Sequence, residues 1–348
     1  MDGFPIGERH VGDGSRCFII AEAGVNHDGK VEDAHRLVDA AAEAGADAVK
    51  FQTFDADALA TADAPKAAYQ VETTGAAESQ RDMLKRLELP REAHAALKAH
   101  CEQRGLVFLS TPFDPGSIDF LVRLGVLAFK TPSQEIINLP YLRQIARYRR
   151  PMIVSTGNST MAEVDIAVAT IEAEQAPFAL LHCVSQYPAA AAATNLRAMV
   201  TLKAAYGVPV GFSDHSVGTA IPIAAAALGA KIIEKHYTLD RSRAGPDHRA
   251  SLEPGELASM VRDIRLVEAA LGDGRKRPAP GEPELGRAAR KSLVAARDLP
   301  AGTVLDAEAM AAKRPGTGIS PALIDFVIGR RLRRPVAEGA IITLDVLG

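Results

Sequence analysis

The sequence predicts an α/β protein: a closed (β/α)8 TIM barrel over residues 1–272, a linker over 273–290 and a small β-rich domain over 291–348. Three observations carry this. Eight short β-type apolar runs alternate with amphipathic stretches, a rhythm that implies parallel strands joined by helical crossovers. Each run ends in or beside polar residues. After Gly272 the pattern breaks into Gly, Pro and charge, then resumes as short strands and turns.

The eight runs are residues 18–23, 48–53, 107–111, 128–131, 152–156, 178–183, 208–212 and 231–236. After the first, Val31, Ala34, Leu37, Val38 and Ala41 recur at helical spacing until Gly45 caps the helix. The last helix opens at Pro254, where a missing N–H costs nothing, and carries Leu257, Met260, Val261, Ile264, Val267 and Leu271. An open doubly wound sheet would need a G-x-G-x-x-G loop after its first strand, and Glu22-Ala-Gly-Val-Asn26 is not one. Pro278, Pro280 and Pro283 mark the linker. Beyond it, Asp298-Leu-Pro-Ala-Gly-Thr-Val-Leu and Arg334-Pro-Val-Ala-Glu-Gly-Ala-Ile are two copies of one turn-strand unit. A domain of that size is marginal alone and is expected to dock.

Composition narrows the partners. A formal net charge of -3 offers no basic field, which argues against nucleic acid and anionic membranes, so an anionic substrate must meet local basic groups. Cys17, Cys101 and Cys183 are too scattered for a disulfide framework. With no basic-then-apolar leader and no apolar run of spanning length, the expected location is cytoplasmic.

In such a barrel, catalytic groups come from the C-terminal ends of the strands. Glu22 ends the first; Lys50 and Gln52 the second; Ser110 and Thr111 the third; Lys130, with Ser133 and Glu135 just beyond, the fourth. Ser155 and Thr156 end the fifth, His182 and Ser185 the sixth, Ser213, Asp214 and His215 the seventh, and Glu234, Lys235 and His236 the eighth. Side chains alternate faces, so Lys50 pairs with Gln52, Ser213 with His215, and Glu234 with His236. Lys130 and Ser133 share a face only if Pro132 ends the strand. Two lysines aimed at one mouth imply a shared anionic ligand such as phosphate or carboxylate. For His215 and His236 the spacing leaves two readings open, a shared divalent metal or two hydrogen-bonded imidazoles.

Several motifs then go beyond patterning: Phe18-Ile-Ile-Ala-Glu-Ala-Gly-Val-Asn-His, Ala48-Val-Lys-Phe-Gln-Thr-Phe, Ser110-Thr-Pro-Phe-Asp, Gly211-Phe-Ser-Asp-His-Ser, Ile233-Glu-Lys-His-Tyr-Thr, Gly245-Pro-Asp-His-Arg-Ala-Ser and Lys313-Arg-Pro-Gly-Thr-Gly. In this order, over nearly the whole chain, they resemble the bacterial N-acetylneuraminate synthase family with its C-terminal antifreeze-like (SAF) domain. The resemblance implies condensation of phosphoenolpyruvate with N-acetylmannosamine to give sialic acid and phosphate, in a domain-swapped homodimer. It places a divalent metal, commonly Mn2+ with Mg2+ or Co2+ as alternatives, on His215 and His236. Phosphoenolpyruvate would meet Lys50, Thr111, Lys130, Ser133, Ser155 and Ser185. The sugar would meet Gln52, Tyr187, Asp247 and the partner subunit's Arg314, with Phe113 and Ser213 completing the substrate site. Glu22 and Glu135 would stand at the reacting centre beside Lys50, Lys130 and the histidines.

The sequence departs from the family pattern at Gln134, where Gly is usual, at Asn158, where Met is usual, and in the Ala run 189–193. The alternative within the family is a legionaminic or other nonulosonic acid synthase using a 6-deoxy diacetamido sugar. A more distant alternative is a Schiff-base aldolase using Lys130 or Lys50. An ice-binding or carbohydrate-binding role for the tail has little support from Thr303, Thr317 and Thr343 alone.

Overall fold

A computed structural model describes residues 3–348, in two compact units that divide between Gly272 and Asp273. The first unit opens with an antiparallel pair, β1 (Gly3–Ile6) and β2 (Arg9–Gly12). Eight parallel strands follow: β3 (Phe18–Gly24), β4 (Ala48–Thr53), β5 (Val107–Pro112), β6 (Phe129–Thr131), β7 (Met152–Ser155), β8 (Phe178–Cys183), β9 (Val210–Asp214) and β10 (Ile232–His236). Their order is β5-β4-β3-β10-β9-β8-β7-β6, so the last strand pairs with the first. β5 and β6 lie side by side at the remaining seam. β9 starts only after Pro209, which has no N–H for the ladder.

Helix α1 (Val31–Glu43) follows β3, whereas the crossover after β4 is enlarged by α2 (Ala56–Leu59), α3 (Ala68–Thr74) and α4 (Gln80–Leu87) before α5 (Ala93–Gln103). One helix follows each later strand: α6 (Pro115–Leu124), α7 (Leu139–Ala146), α8 (Met161–Ala173), α9 (Arg197–Tyr206), α10 (Ala220–Ala227) and α11 (Pro254–Leu271). Outward strand residues such as Ile19, Val49, Phe129 and Ile233 pack with the helices in the main core. Inward residues Phe18, Ile20, Val107, Leu109, Ile153 and Ile232 fill the lower barrel.

The hairpin β1–β2 is absent from the sequence expectation. Its Phe4, Ile6 and Val11 join the inward cluster and plug the barrel at the end where the strands begin. Strands of four residues that include Gly and Pro give too short an alternation to register.

In the second unit, part of the stretch expected as linker is helical. α12 (Glu282–Ala289) carries Pro283 in its first turn, where proline starts a helix and does not break one. β11 (Ser292–Ala295) and β12 (Met310–Lys313) pair antiparallel, and α13 (Ile324–Val327) adds Ile324 and Val327 to the core that includes Leu293, Leu305 and Leu332. The two sequence repeats face one another: Leu299 and Val336 exchange both backbone hydrogen bonds at 2.9 Å. Among the described residues no helix is long and apolar enough to cross a membrane.

Candidate active site

One inward step above the apolar floor, each barrel strand changes chemistry. Glu22 follows Ile20, Lys50 follows Ala48, Thr111 follows Leu109, Lys130 follows Ala128 and Ser155 follows Ile153, while Cys183, Ser213 and Glu234 stand at the same stage of β8, β9 and β10. Strand alternation thus puts a polar ring on an apolar plug, and the ring lines a cavity of about 440 Å3.

The ring is densely charged for a buried place. Lys50 Nζ donates to Thr111 Oγ1 at 3.0 Å and lies 3.1 Å from Glu22 Oε1 and 3.5 Å from Glu234 Oε2. Lys130 Nζ donates to Ser155 Oγ at 2.6 Å and lies 3.7 Å from Glu234 Oε1, which also accepts from Ser213 Oγ at 2.8 Å. Burial opposes charge on Glu234, yet Lys130 and Lys50 outweigh it and hold its carboxyl down at about 2. Glu22 goes the other way: burial, opposed by Lys50 and reinforced by Glu234, pushes its carboxyl up to about 7. Glu234 thus ties both lysines together.

Ser133 reaches the same cavity because β6 stops at Thr131 and a 3-10 turn, Ser133–Ile137, carries the chain over the mouth. Gly157 N donates to Ser133 Oγ at 2.9 Å, and a Cβ at Gly157 would fall 2.7 Å from that oxygen and 2.5 Å from Ser185 Oγ. The glycine leaves the two hydroxyls free to converge, a cradle suited to the oxygens of an anion. Next to it Asn158 holds φ 55°, a left-handed conformation that Asn tolerates well. Glu135 is half-buried and accepts from Asn138 Nδ2 at 2.6 Å; burial raises its carboxyl. Gln134 also lines the cavity.

Across the cavity, the rings of His215 and His236 are centred 5.5 Å apart. His215 Nδ1 donates to Val184 O at 2.8 Å, which leaves Nε2 free. His236 Nδ1 is buried with no hydrogen-bond partner, 3.9 Å from Asp247 Oδ2. Burial, with His215 and Lys50 adding, drives the His236 imidazole well below its ordinary range and keeps it neutral. Neutral imidazole with an orphaned nitrogen fits a divalent metal, and His236 with the Nε2 of His215 as a second donor would leave positions open for substrate and water. No group of three His, Cys, Asp or Glu suited to a metal exists among the described residues.

Tyr187 closes this side: its ring lies 4.0 Å from the His215 ring and edge-on to His236 at 5.9 Å. Asp247 is buried, and burial pushes its carboxyl up to about 6. Its loop is pinned by His248, which bonds Thr238 Oγ1 at 2.7 Å and Asp28 Oδ1 at 3.0 Å. Gln52 Nε2 reaches Glu22 Oε1 at 3.4 Å, and Phe113 lines the opposite side.

All the residues expected in the barrel site therefore meet in this cavity. Arg314 belongs to the second unit, exposed just past β12, where Ser292 Oγ donates to Pro315 O at 2.6 Å and fixes the turn. Some strand-end polar residues point away from the mouth. His182 bonds Thr194 O at 2.7 Å, and Lys235 pairs with Asp214 at 2.6 Å, both on outward faces. Sequence reasoning put Glu234 on the face of His236 without giving it a role, and missed Cys183, which alternates with the inward Leu181. It also missed Tyr69, stacked on Tyr187 at 5.0 Å; no periodicity links an insertion residue to the mouth.

The NeuB family model matches residues 37–276 and the SAF domain model residues 290–347. The chain belongs to the NeuB family. Within this family it is 44% identical over 333 residues to N,N'-diacetyllegionaminic acid synthase of Legionella pneumophila, covering 94% of each chain. The enzyme of that name from Campylobacter jejuni is 43% identical over 330 residues, covering 94% of this chain and 99% of the relative. A crystal structure of N-acetylneuraminic acid synthetase from Leptospira borgpetersenii, in complex with citrate, aligns at TM-score 0.73 with 36% identity, covering 81% of this chain and 94% of that one. The family match and the SAF domain are those the sequence motifs led us to expect.

Proposed function

We propose that this protein is a phosphoenolpyruvate-dependent nonulosonic acid synthase whose sugar substrate is a 6-deoxy diacetamido aldose, giving a legionaminic-type acid and phosphate. The observation that carries the reaction class is the meeting of Lys50 and Lys130 at Glu234, beside the Ser133–Ser185 cradle and the His215–His236 pair. Relatives at 44% and 43% identity named as legionaminic acid synthases favour this sugar over the N-acetylmannosamine first expected. N-acetylneuraminate synthesis stays as the second reading, supported by the 36% identical sialic acid synthetase structure.

In the proposed reaction the methylene carbon of phosphoenolpyruvate forms a bond to the aldehyde carbon, and the alkoxide takes up a proton. The central enol-ether carbon, left with oxocarbenium character, gains a water oxygen and releases that water's proton. Its bond to the phosphate oxygen then breaks while the new hydroxyl gives up its remaining proton, which the departing phosphate takes, to leave a ketone and hydrogen phosphate. Lys50 and Lys130 offset the carboxylate and phosphate charges, and the Ser133 and Ser185 hydroxyls donate to their oxygens. Glu22, with its carboxyl near 7, can exchange a proton at neutral pH, and Glu135 faces the same space as a second carrier. A divalent ion on His215 and His236, manganese in this proposal, would polarise the aldehyde oxygen and acidify water.

The deciding experiment incubates the protein with phosphoenolpyruvate, manganese and a panel of N-acyl sugars, and reads product mass and released phosphate. Turnover of none of them would sink the reading. Borohydride trapping of a Lys130 or Lys50 adduct, with indifference to chelator, would instead favour the Schiff-base aldolase. The homodimer with a shared site, and Arg314 as a sugar contact from the partner subunit, belong to the same proposal.

A further inference from the structure

The cavity has two unlike walls. At the strand ends, on β3 to β5 as well as on β6 to β10, it is lined by lysines, hydroxyls, carboxylates and the histidine pair. Past the strand ends, above β3 to β5, it is lined by a separate apolar cluster, in which buried Phe54, Met83 and Leu87 carry the partly exposed Leu59, Leu84 and Phe113. Five of these six residues, Phe54, Leu59, Met83, Leu84 and Leu87, come from the enlarged crossover after β4, the segment in which the barrel departs from one helix per strand.

Helix α4 explains how the wall is built. Its N-terminus is capped by Ser79 Oγ, which accepts from Asp82 N at 3.2 Å, and its Met83 and Leu87 turn inward as a buried pair. Leu84, one position on, is left between core and cavity, so its side chain is offered to a ligand. Gln80 sits on the same helix and lines the cavity beside Gln70, to which its Nε2 donates at 3.3 Å. These two amides supply the polar groups of a wall otherwise made of hydrocarbon and suit the N-acyl groups of a sugar.

We infer that Leu59 and Leu84 are specificity-determining residues: they receive the end of the sugar remote from the aldehyde and favour a methyl over a hydroxymethyl group there. This rests on the synthase reading, which fixes the aldehyde end near His215 and His236. A hydroxymethyl group placed on this wall would lose water without gaining a partner, whereas a methyl group gains apolar burial. Discrimination by such a hydrophobic surface is modest, on the order of 10- to 100-fold in kcat/KM.

The test measures kcat/KM for the 6-deoxy diacetamido sugar and for N-acetylmannosamine in the wild type and in Leu84→Asn, Leu59→Asn and Leu84→Met, with thermal melting as the check on folding. The wild type should prefer the 6-deoxy sugar. Each Asn variant should cut that preference about tenfold with the KM for phosphoenolpyruvate little changed, and Leu84→Met should retain it. If the wild type prefers the 6-deoxy sugar but both folded Asn variants keep the same ratio, the wall is overturned and the sugar assignment survives. A wild type that prefers N-acetylmannosamine overturns both.

Discussion

Glu234 on β10 and Lys130 on β6 come within 3.7 Å of each other across the barrel mouth, although β7, β8 and β9 lie between their strands in the sheet. The contact spans the interior, and Lys50 reaches the same carboxylate from β4 at 3.5 Å. Glu234→Gln keeps the shape and removes the charge that screens the two ammonium groups from each other. Breaking a buried pair costs about 3–5 kcal/mol, so the free protein should melt at a clearly lower temperature. Because phosphoenolpyruvate would replace the missing negative charge, it should raise the melting point of the variant more than that of the wild type. Equal shifts would show that the carboxylate does not organise the lysines.

Lys50→Ala should weaken phosphoenolpyruvate binding far more than sugar binding. Loss of one charge-assisted contact is worth about 1.5–3 kcal/mol, roughly 10- to 150-fold in kcat/KM for that substrate. Varying each substrate at saturation of the other separates the effects. A change confined to the sugar would place the anion elsewhere.

Glu22 gives a pH dependence of definite sign. Its carboxyl is near 7 in the folded state against an ordinary value of 4.5, because burial disfavours its charge. The folded protein therefore binds this proton more tightly than the unfolded chain, and the stability tied to it is present below about pH 4.5 and lost as pH rises to about 7. Glu22→Gln removes that loss. Relative to wild type, its melting temperature should rise between pH 5 and pH 7.5, and a constant difference across the range would contradict the shift.

The barrel was legible because each strand carries its own period and each polar strand end is local in sequence: Lys50, Gln52, Ser213 and His215 needed only alternation to be placed. Ser133 required the stop at Pro132, which the sequence also shows. What local reasoning missed were meetings between distant segments. Nothing near Tyr69 points to Tyr187, and nothing near Phe4, Ile6 or Val11 says that they plug a barrel. Alternation put Glu234 on the face of His236 and Lys235 on the other, but their partners are visible only in the packing: Lys235 turns outward to Asp214 while Glu234 faces two lysines.

The histidine pair predicts metal dependence. Exhaustive chelation should abolish turnover and Mn2+ should restore it, with Mg2+ or Co2+ tested as substitutes. His215→Ala and His236→Ala should each remove activity and metal binding by isothermal titration while the fold persists, since His236 Nδ1 has no protein partner to lose. Full turnover after chelation would falsify the assignment.

Arg314 supplies the last prediction, that it acts on the barrel of the partner subunit. The turn that carries it is fixed from within its own unit: Gly316 N donates to Arg287 O at 2.8 Å, Gly318 N donates to Ser292 Oγ at 2.8 Å, and a Cβ at Gly316 would lie 2.7 Å from Arg290 Cβ. An exposed guanidinium on so constrained a turn loses little freedom on meeting sugar oxygens, where it offers several donors at once. Arg314→Ala and Lys50→Ala homodimers should both be nearly inactive. In a heterodimer of the two, one barrel would keep its lysine and receive the intact arginine, so activity should return to about half that of the wild-type dimer. If Arg314 served its own barrel, each site of the heterodimer would lack one residue and activity would stay at the parental level. Separately tagged subunits, co-expressed and purified through both tags, allow that comparison on heterodimers alone.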